Sequence, residues 1–208
     1  MAKKVYAVRQ GRKVGLFDDW ASCKAQVDGY SGAEYKSFTT REEAMDYLEG
    51  GEANSPVAKT DVPEEMQIPN DEAVAYVDGS YDVTSNCFSY GMVIFYQGET
   101  LTFHQKYEDA ELAQMRNVAG EIKGAEAAMR FAYEHQIKHL IIYHDYEGIA
   151  KWCNGAWKAN KEGTKAYQAY YRSIKEYVQI TFRKVKGHSG DKYNDMADVL
   201  AKKALGIA

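Results

Sequence analysis

The chain has 208 residues, 45% of them hydrophobic and 27% charged, with a formal net charge of −4. That apolar content supports a packed core and excludes a disordered chain, and the length suits one or two domains. No apolar run approaches membrane-spanning length, and Met1-Ala2-Lys3-Lys4-Val5 has no signal-like apolar stretch.

The charge is unevenly distributed. Residues 1–40 carry Lys3, Lys4, Arg9, Arg12, Lys13, Lys24 and Lys36 against Asp18, Asp19, Asp28 and Glu34, a net of +3. A mildly basic first unit keeps a nucleic-acid partner open despite the overall acidity. Residues 4–9 alternate as a short strand, Gly11-Arg12-Lys13 is a basic turn, and Val14-Gly15-Leu16-Phe17 is a second strand. Asp18 or Asp19 is placed to cap a helix over about residues 20–28, and Tyr35-Lys36-Ser37-Phe38 reads as a third strand. Thr40-Arg41-Glu42-Glu43 has the form of a capping box. The helix it opens runs to Glu49 and stops at Gly50-Gly51. Residues 1–50 thus make a small α/β unit near the lower size limit for independent folding.

Residues 51–72 hold all three prolines, Pro56, Pro63 and Pro69. Glu52, Asp61, Glu64, Glu65, Asp71 and Glu72 stand there against Lys59, a net of −5. Such a segment is expected to be an extended, self-repelling linker.

Three strand-like runs follow, at 73–78, 89–97 and 100–107, with Gly98-Glu99 as a tight hairpin between the last two. Residues 118–135 have helical spacing and high alanine content. His139-Leu140-Ile141-Ile142-Tyr143 is a buried strand ending in His144-Asp145. Helices at about 147–154 and 164–177, a strand at 178–185 and a helix at about 191–204 complete the chain. The order is three antiparallel strands, then alternating α and β. Cys23, Cys87 and Cys153 are odd in number and widely spaced, which argues against a disulfide framework or zinc site and predicts a reducing, cytoplasmic setting.

The chemistry centres on Tyr76-Val77-Asp78-Gly79-Ser80. An acid closing an apolar strand is costly unless paired, hydrogen-bonded or bound to metal. Taken alone, Asp78-Gly79 reads first as a strand ending in an ordinary turn, since Asp-Gly is a common turn dipeptide. Asp145 repeats the pattern at the end of a second apolar strand. Glu121 lies early in the alanine-rich helix after Gly120, and Asp198 shares a helix face with Asn194, with Asp195 competing for the same role. Four convergent carboxylates repel unless cations neutralise them. An oxygen-only set selects Mg²⁺ or Mn²⁺, and two such ions about 3.5–4 Å apart suit in-line displacement at phosphorus.

These residues, with the tail Val185-Lys186-Gly187-His188-Ser189-Gly190 and Asn194-Asp195-Met196-Ala197-Asp198-Val199-Leu200-Ala201, resemble type 1 ribonuclease H over about residues 73–206. The resemblance implies an α/β catalytic domain over residues 73–208, with a mixed five-stranded sheet and flanking helices. It implies that Asp78, Glu121, Asp145 and Asp198 hold two Mg²⁺ ions, with Mn²⁺ an alternative. His188 would assist departure of the cleaved phosphate, and Asn117 is the candidate for reading 2′-hydroxyls. Residues 4–49 are similar to the small hybrid-binding domain found in viroplasmin proteins and at the N-terminus of many such enzymes. The matching runs are Tyr6-Ala7-Val8-Arg9, Gly11-Arg12-Lys13-Val14-Gly15, Trp20, Cys23-Lys24-Ala25-Gln26-Val27 and Tyr35-Lys36-Ser37-Phe38. In that family Tyr6, Trp20, Tyr35 and Lys36 would face the DNA strand.

The chain departs from the family pattern in three places. Tyr146 stands where the family has Ser after the third carboxylate, which leaves the ligand intact and alters its neighbour. Ser37 stands for a second lysine, which implies weaker phosphate binding. Residues 151–165 lack a dense basic protrusion, so the N-terminal unit is expected to supply substrate affinity. The implied enzyme is a monomeric, cytoplasmic endonuclease cutting the RNA strand of RNA–DNA hybrids to 3′-hydroxyl and 5′-phosphate ends. It would not associate with membranes, and double-stranded RNA is a further partner for the N-terminal unit. Two other readings are a non-catalytic hybrid- or double-stranded-RNA-binding protein that kept the fold, and a related nuclease or strand transferase of transposase type.

Overall fold

The computed structural model describes residues 4–30, 33–39, 44, 47–48, 58–61, 68–187 and 190–207. It divides into two compact units, residues 1–55 and 56–208.

In the first unit, β1 (Val5–Gln10), β2 (Gly15–Phe17) and β3 (Glu34–Phe38) form an antiparallel sheet in the order β2-β1-β3. Helix α1 (Trp20–Val27) is capped by Asp19, whose Oδ1 accepts from the Ser22 N–H at 2.8 Å. The basic turn serves the other end of that helix. Arg12 Nη1 donates to the carbonyls of Ala25 and Asp28, at 3.2 and 2.6 Å, where helix carbonyls lack partners. Alternation along β1 splits the apolar side chains between two faces. Val8 packs with Cys23 and Val27 under α1, and Ala7 packs with Phe38 and Ala44 on the other face. Ala44, Tyr47 and Leu48 are helical. The capping box at 40–43 and the stop at Gly50-Gly51 lie outside the described residues.

The second unit is built on a mixed sheet of order β4-β7-β6-β5-β8-β9. Its strands are β4 (Ala58–Asp61), β5 (Glu72–Asp82), β6 (Cys87–Tyr96), β7 (Glu99–Tyr107), β8 (His139–His144) and β9 (Gln179–Lys184). Five of them are the expected mixed sheet. The sixth corrects the reading of residues 51–72 as linker throughout. Ala58–Asp61 pairs antiparallel with Glu99–Thr102 of β7 and covers that edge. Backbone hydrogen bonds suffice for such pairing, whatever the side chains. The hairpin after β6 turns on Gln97-Gly98, not Gly98-Glu99. Tyr96 pairs with Glu99, and both turn residues have positive φ, 48° and 76°, as a two-residue turn between twisted strands requires.

Helix α2 (Asn117–Glu134) covers one face of the sheet together with α3 (Gly148–Cys153) and α4 (Glu162–Ile174), and α5 (Lys192–Leu205) covers the other. With helices on both faces, β5 has apolar residues pointing both ways, which is why 73–77 reads as a continuous apolar run. Val77 packs toward α2, while Val74 and Tyr76 pack toward Tyr193, Ala197 and Leu200 of α5. Among the described residues no helix is long and apolar enough to cross a membrane.

Candidate active site and nucleic-acid interface

Asp78 is not at a strand end or in a turn. It lies within β5, opposite Gly91 of β6, and the strand continues to Asp82. It is the neighbour on the other side that ends. β8 runs parallel to β5 with Tyr76 beside Tyr143, and stops at His144. Two residues beyond that pair on each strand stand Asp78 and Asp145, so the two carboxylates open side by side where β8 leaves the sheet.

Glu121 reaches them from α2 because the helix lies almost on the strand. A Cβ on Gly79 would be 2.2 Å from the Asn117 carbonyl oxygen and 2.4 Å from the Glu121 nitrogen. A Cβ on Gly120 would be 2.0 Å from the Ser89 carbonyl oxygen. Only glycine at both positions permits this approach. Ligand oxygens of Asp78, Glu121 and Asp145 all lie within 4.8 Å of one another. Gly187 closes the far side, since a Cβ there would come 2.4 Å from Asp145 Oδ2.

Asp78 is 7% exposed and Glu121 1%. Burial, reinforced by the Asp145 charge, pushes Asp78 up to about 7 and Glu121 up to about 9. Two backbone donors oppose this. Gly79 N–H donates to Asp78 Oδ1 at 2.7 Å, and Tyr146 N–H to Glu121 Oε2 at 3.3 Å. Two buried carboxyls and a half-buried third, with this little compensation, are a poor structural cluster and a good cation site.

Asp198 is not drawn into the group of three. It projects from α5 and accepts from Lys202 Nζ at 2.6 Å, near enough for its charge and that of Lys202 to act on Asp78. Asp195 sits in the first turn of α5, where an acid favours the positive helix end. His188 lies outside the described residues. Sequence reasoning passed over His144. It is 1% exposed, its Nδ1 is 2.9 Å from the Tyr146 carbonyl oxygen, and burial lowers its pKa.

Beside the carboxylates a cleft of about 370 Å³ is lined by Asn117, Arg116, Tyr146, Trp152, Lys158 and Lys161, among others. Asn117, the first residue of α2, is exposed there. Tyr146 packs against Trp152 and Trp157, with ring centroids 5.8 and 6.1 Å away. An aromatic wall with cationic neighbours suits a nucleic-acid backbone. Arg116, at φ 54° just before α2, was not anticipated, and the Arg-Asn step at the helix start was its signal.

In the first unit Trp20 stands between Tyr6 and Tyr35, with centroids at 5.6 and 5.7 Å. Trp20 is 42% exposed and Tyr35 45%, so these rings form a surface platform and not a core. Lys36 does not join them. It pairs with Ala7 while Tyr35 pairs with Val8, which puts Lys36 on the opposite sheet face, its Nζ 5.7 Å from the Phe38 ring. Adjacent strand residues always diverge in this way.

Residues 4–48 match the family described as Ribonuclease H1 N-terminal domain, and residues 70–206 match the RNase H family. Ribonuclease H1 of Rattus norvegicus is 26% identical over 250 residues, covering 95% of this chain and 87% of the relative. RNase H1 from Halobacterium salinarum superposes with a TM-score of 0.54 at 20% identity, over 66% of this chain and 99% of that one. LC11-RNase H1, solved in complex with RNA/DNA hybrid, gives 0.51 at 18% identity, over 64% and 99%.

Proposed function

The chain belongs to the ribonuclease H family and is a ribonuclease H enzyme, and from that premise we propose that it cuts the RNA strand of RNA–DNA hybrids internally, leaving 3′-hydroxyl and 5′-phosphate ends. The observation that carries this reading is the convergence of Asp78, Glu121 and Asp145 at a gap between parallel strands. Their oxygen-only donor set fits Mg²⁺ or Mn²⁺. A pair of such ions, when bound, activates water and stabilises the leaving oxygen in displacement at phosphorus.

The protein's own groups divide the remaining work. Asp78, Glu121 and Asp145 would hold the ions, and Glu121 is steadied by the Tyr146 N–H. Asp198 is assigned as the fourth ligand; to hold a cation its carboxylate would have to give up its pairing with Lys202. His188 is assigned to departure of the cleaved phosphate. Asn117, exposed in the cleft, reads 2′-hydroxyls of the RNA strand. The aromatic wall and the Arg116, Lys158 and Lys161 cations track the backbone.

Tyr6, Trp20 and Tyr35 form the DNA-facing platform of a hybrid-binding domain over residues 1–50, with Lys36 meeting phosphate from the other sheet face. The neighbour solved on an RNA/DNA hybrid supports the same partner here. Double-stranded RNA is a further ligand of the first unit. We place the protein as a monomer in the cytoplasm. The buried, unpaired Cys23, Cys87 and Cys153 are consistent with that setting.

A non-catalytic binder would have no reason to keep two buried carboxylates and a half-buried third together. The test is Asp78→Asn, which keeps shape and removes charge. Cleavage falls more than about 100-fold, beyond the 10–100-fold typical of partners outside the ligand set, while hybrid affinity is retained or improved. Near-normal turnover by this variant in Mg²⁺ would overturn the assignment.

A further inference from the structure

His144 is the last residue of β8 and directly precedes Asp145. By alternation it shares a face with Leu140 and Ile142, which pack in the core on the α2 side, whereas Ile141 and Tyr143 pack on the α5 side. Its ring is buried and meets the Phe182 ring in a T-shaped contact, with centroids 5.9 Å apart. A leucine would fill that space without bringing polar atoms. The imidazole instead leaves Nε2 buried with no hydrogen-bond partner among the described residues. That arrangement carries a desolvation cost.

What the ring provides is at Nδ1, 2.9 Å from the Tyr146 carbonyl oxygen. A carbonyl only accepts, so Nδ1 carries the proton. The Ile149 N–H donates to the same oxygen at 3.2 Å, which ties in the first turn of α3. The other polar group of Tyr146, its N–H, donates to Glu121 Oε2. Tyr146 is thus held at both ends, by His144 on one side and a carboxylate of the site on the other, with Asp145 at the root of the turn.

We propose that His144 is a positioning residue, which fixes the Asp145–Tyr146 turn and thereby the spacing of the Asp145 and Glu121 carboxylates that a cation requires. This rests on the metal-binding reading above. It predicts that His144 acts on metal affinity and turnover without touching the ion or the nucleic acid.

The experiment uses the full chain and two substitutions. His144→Leu keeps bulk and removes the donor. In His144→Asn the amide nitrogen stands where Nδ1 stood. Mn²⁺ alone is titrated by calorimetry, and kcat and KM are measured on a hybrid. His144→Leu should weaken Mn²⁺ binding about ten-fold and lower kcat with KM unchanged, the low end of the roughly 10–100-fold cost of partners behind metal ligands. His144→Asn should recover most of both losses. Unchanged Mn²⁺ affinity in a folded His144→Leu, or no recovery in a folded His144→Asn, overturns the proposal. If His144→Leu does not fold, His144→Asn decides alone: near-native Mn²⁺ affinity supports the proposal and its loss refutes it. If the unsubstituted chain takes up no Mn²⁺, the metal reading itself fails, and the His144 proposal with it.

Discussion

Without cations, Asp78 and Glu121 are driven toward their protonated forms, and this couples stability to pH. Asp78 titrates at about 7 and Glu121 at about 9, chiefly through burial. In an unfolded chain both would titrate near 4. Between those values the folded chain holds protons the unfolded chain has released, so stability falls as pH rises. The contribution is complete below about pH 4 and is lost as pH passes about 7 for Asp78 and about 9 for Glu121. The Tm of the metal-free protein should therefore drop from about pH 5 to about pH 9, by roughly 2–4 °C for each kcal/mol of repulsion. Mg²⁺ should reverse the drop, and Asp78→Asn should flatten it. A Tm independent of pH and Mg²⁺ would mean that neither burial nor mutual repulsion raises these carboxyls. The exposed platform gives a second prediction at this scale. Trp20→Ala should weaken hybrid binding about ten-fold, since stacking on a base is worth roughly 1–3 kcal/mol. Circular dichroism checks that the fold survives, and unchanged affinity in a folded variant would remove Trp20 from the interface.

The element that sets the site is the contact of α2 with β5, and it depends on two residues without side chains. Gly79→Ala would drive a methyl into the Asn117 carbonyl and force the helix outward. Overpacking of this kind costs about 1–3 kcal/mol. Tm should fall and cleavage with it, because Glu121 moves with the helix. Full activity in Gly79→Ala would show that the contact is not needed. Elements of this kind were legible in the sequence, because β5 is an apolar run buried on both faces, β8 an apolar run buried on one face and half-buried on the other, and α2 is rich in alanine. Their carboxylates were legible for the same reason, as acids where an apolar pattern should continue. That Asp78 sits inside a strand was not legible, since nothing local says that the neighbouring strand stops first. Strand β4 was hidden because Ala58-Lys59-Thr60-Asp61 has no apolar alternation, and an edge strand needs none. The divergence of Lys36 from Tyr35 could have been read from the two-residue period of β3 and was missed. His144 gave no signal, since its role depends on the turn that follows it.

At the scale of the whole molecule, β4 changes what connects the two units. If residues 49–71 were all free they could reach about 80 Å, whereas the nine residues 49–57 before β4 reach at most about 32 Å. A shorter tether raises the effective concentration of the second binding site. Proline at Lys59 and Thr60 should release β4 from β7. The released chain should make fewer cuts per encounter on long hybrids, with single-cleavage kinetics on short ones unchanged. Equal numbers of cuts by both forms would show that docking of β4 is irrelevant to function.

The most direct test of the central claim is cleavage by the full chain of three end-labelled duplexes of one sequence, RNA–DNA hybrid, double-stranded RNA and double-stranded DNA, with Mg²⁺ and with chelator. Three carboxylates gathered to hold cations, beside a cleft presenting Asn117, predict internal cuts in the RNA strand of the hybrid only, with 3′-hydroxyl and 5′-phosphate ends and only in the presence of Mg²⁺. Cleavage of the hybrid under chelator, or equal cleavage of all three duplexes, would contradict it.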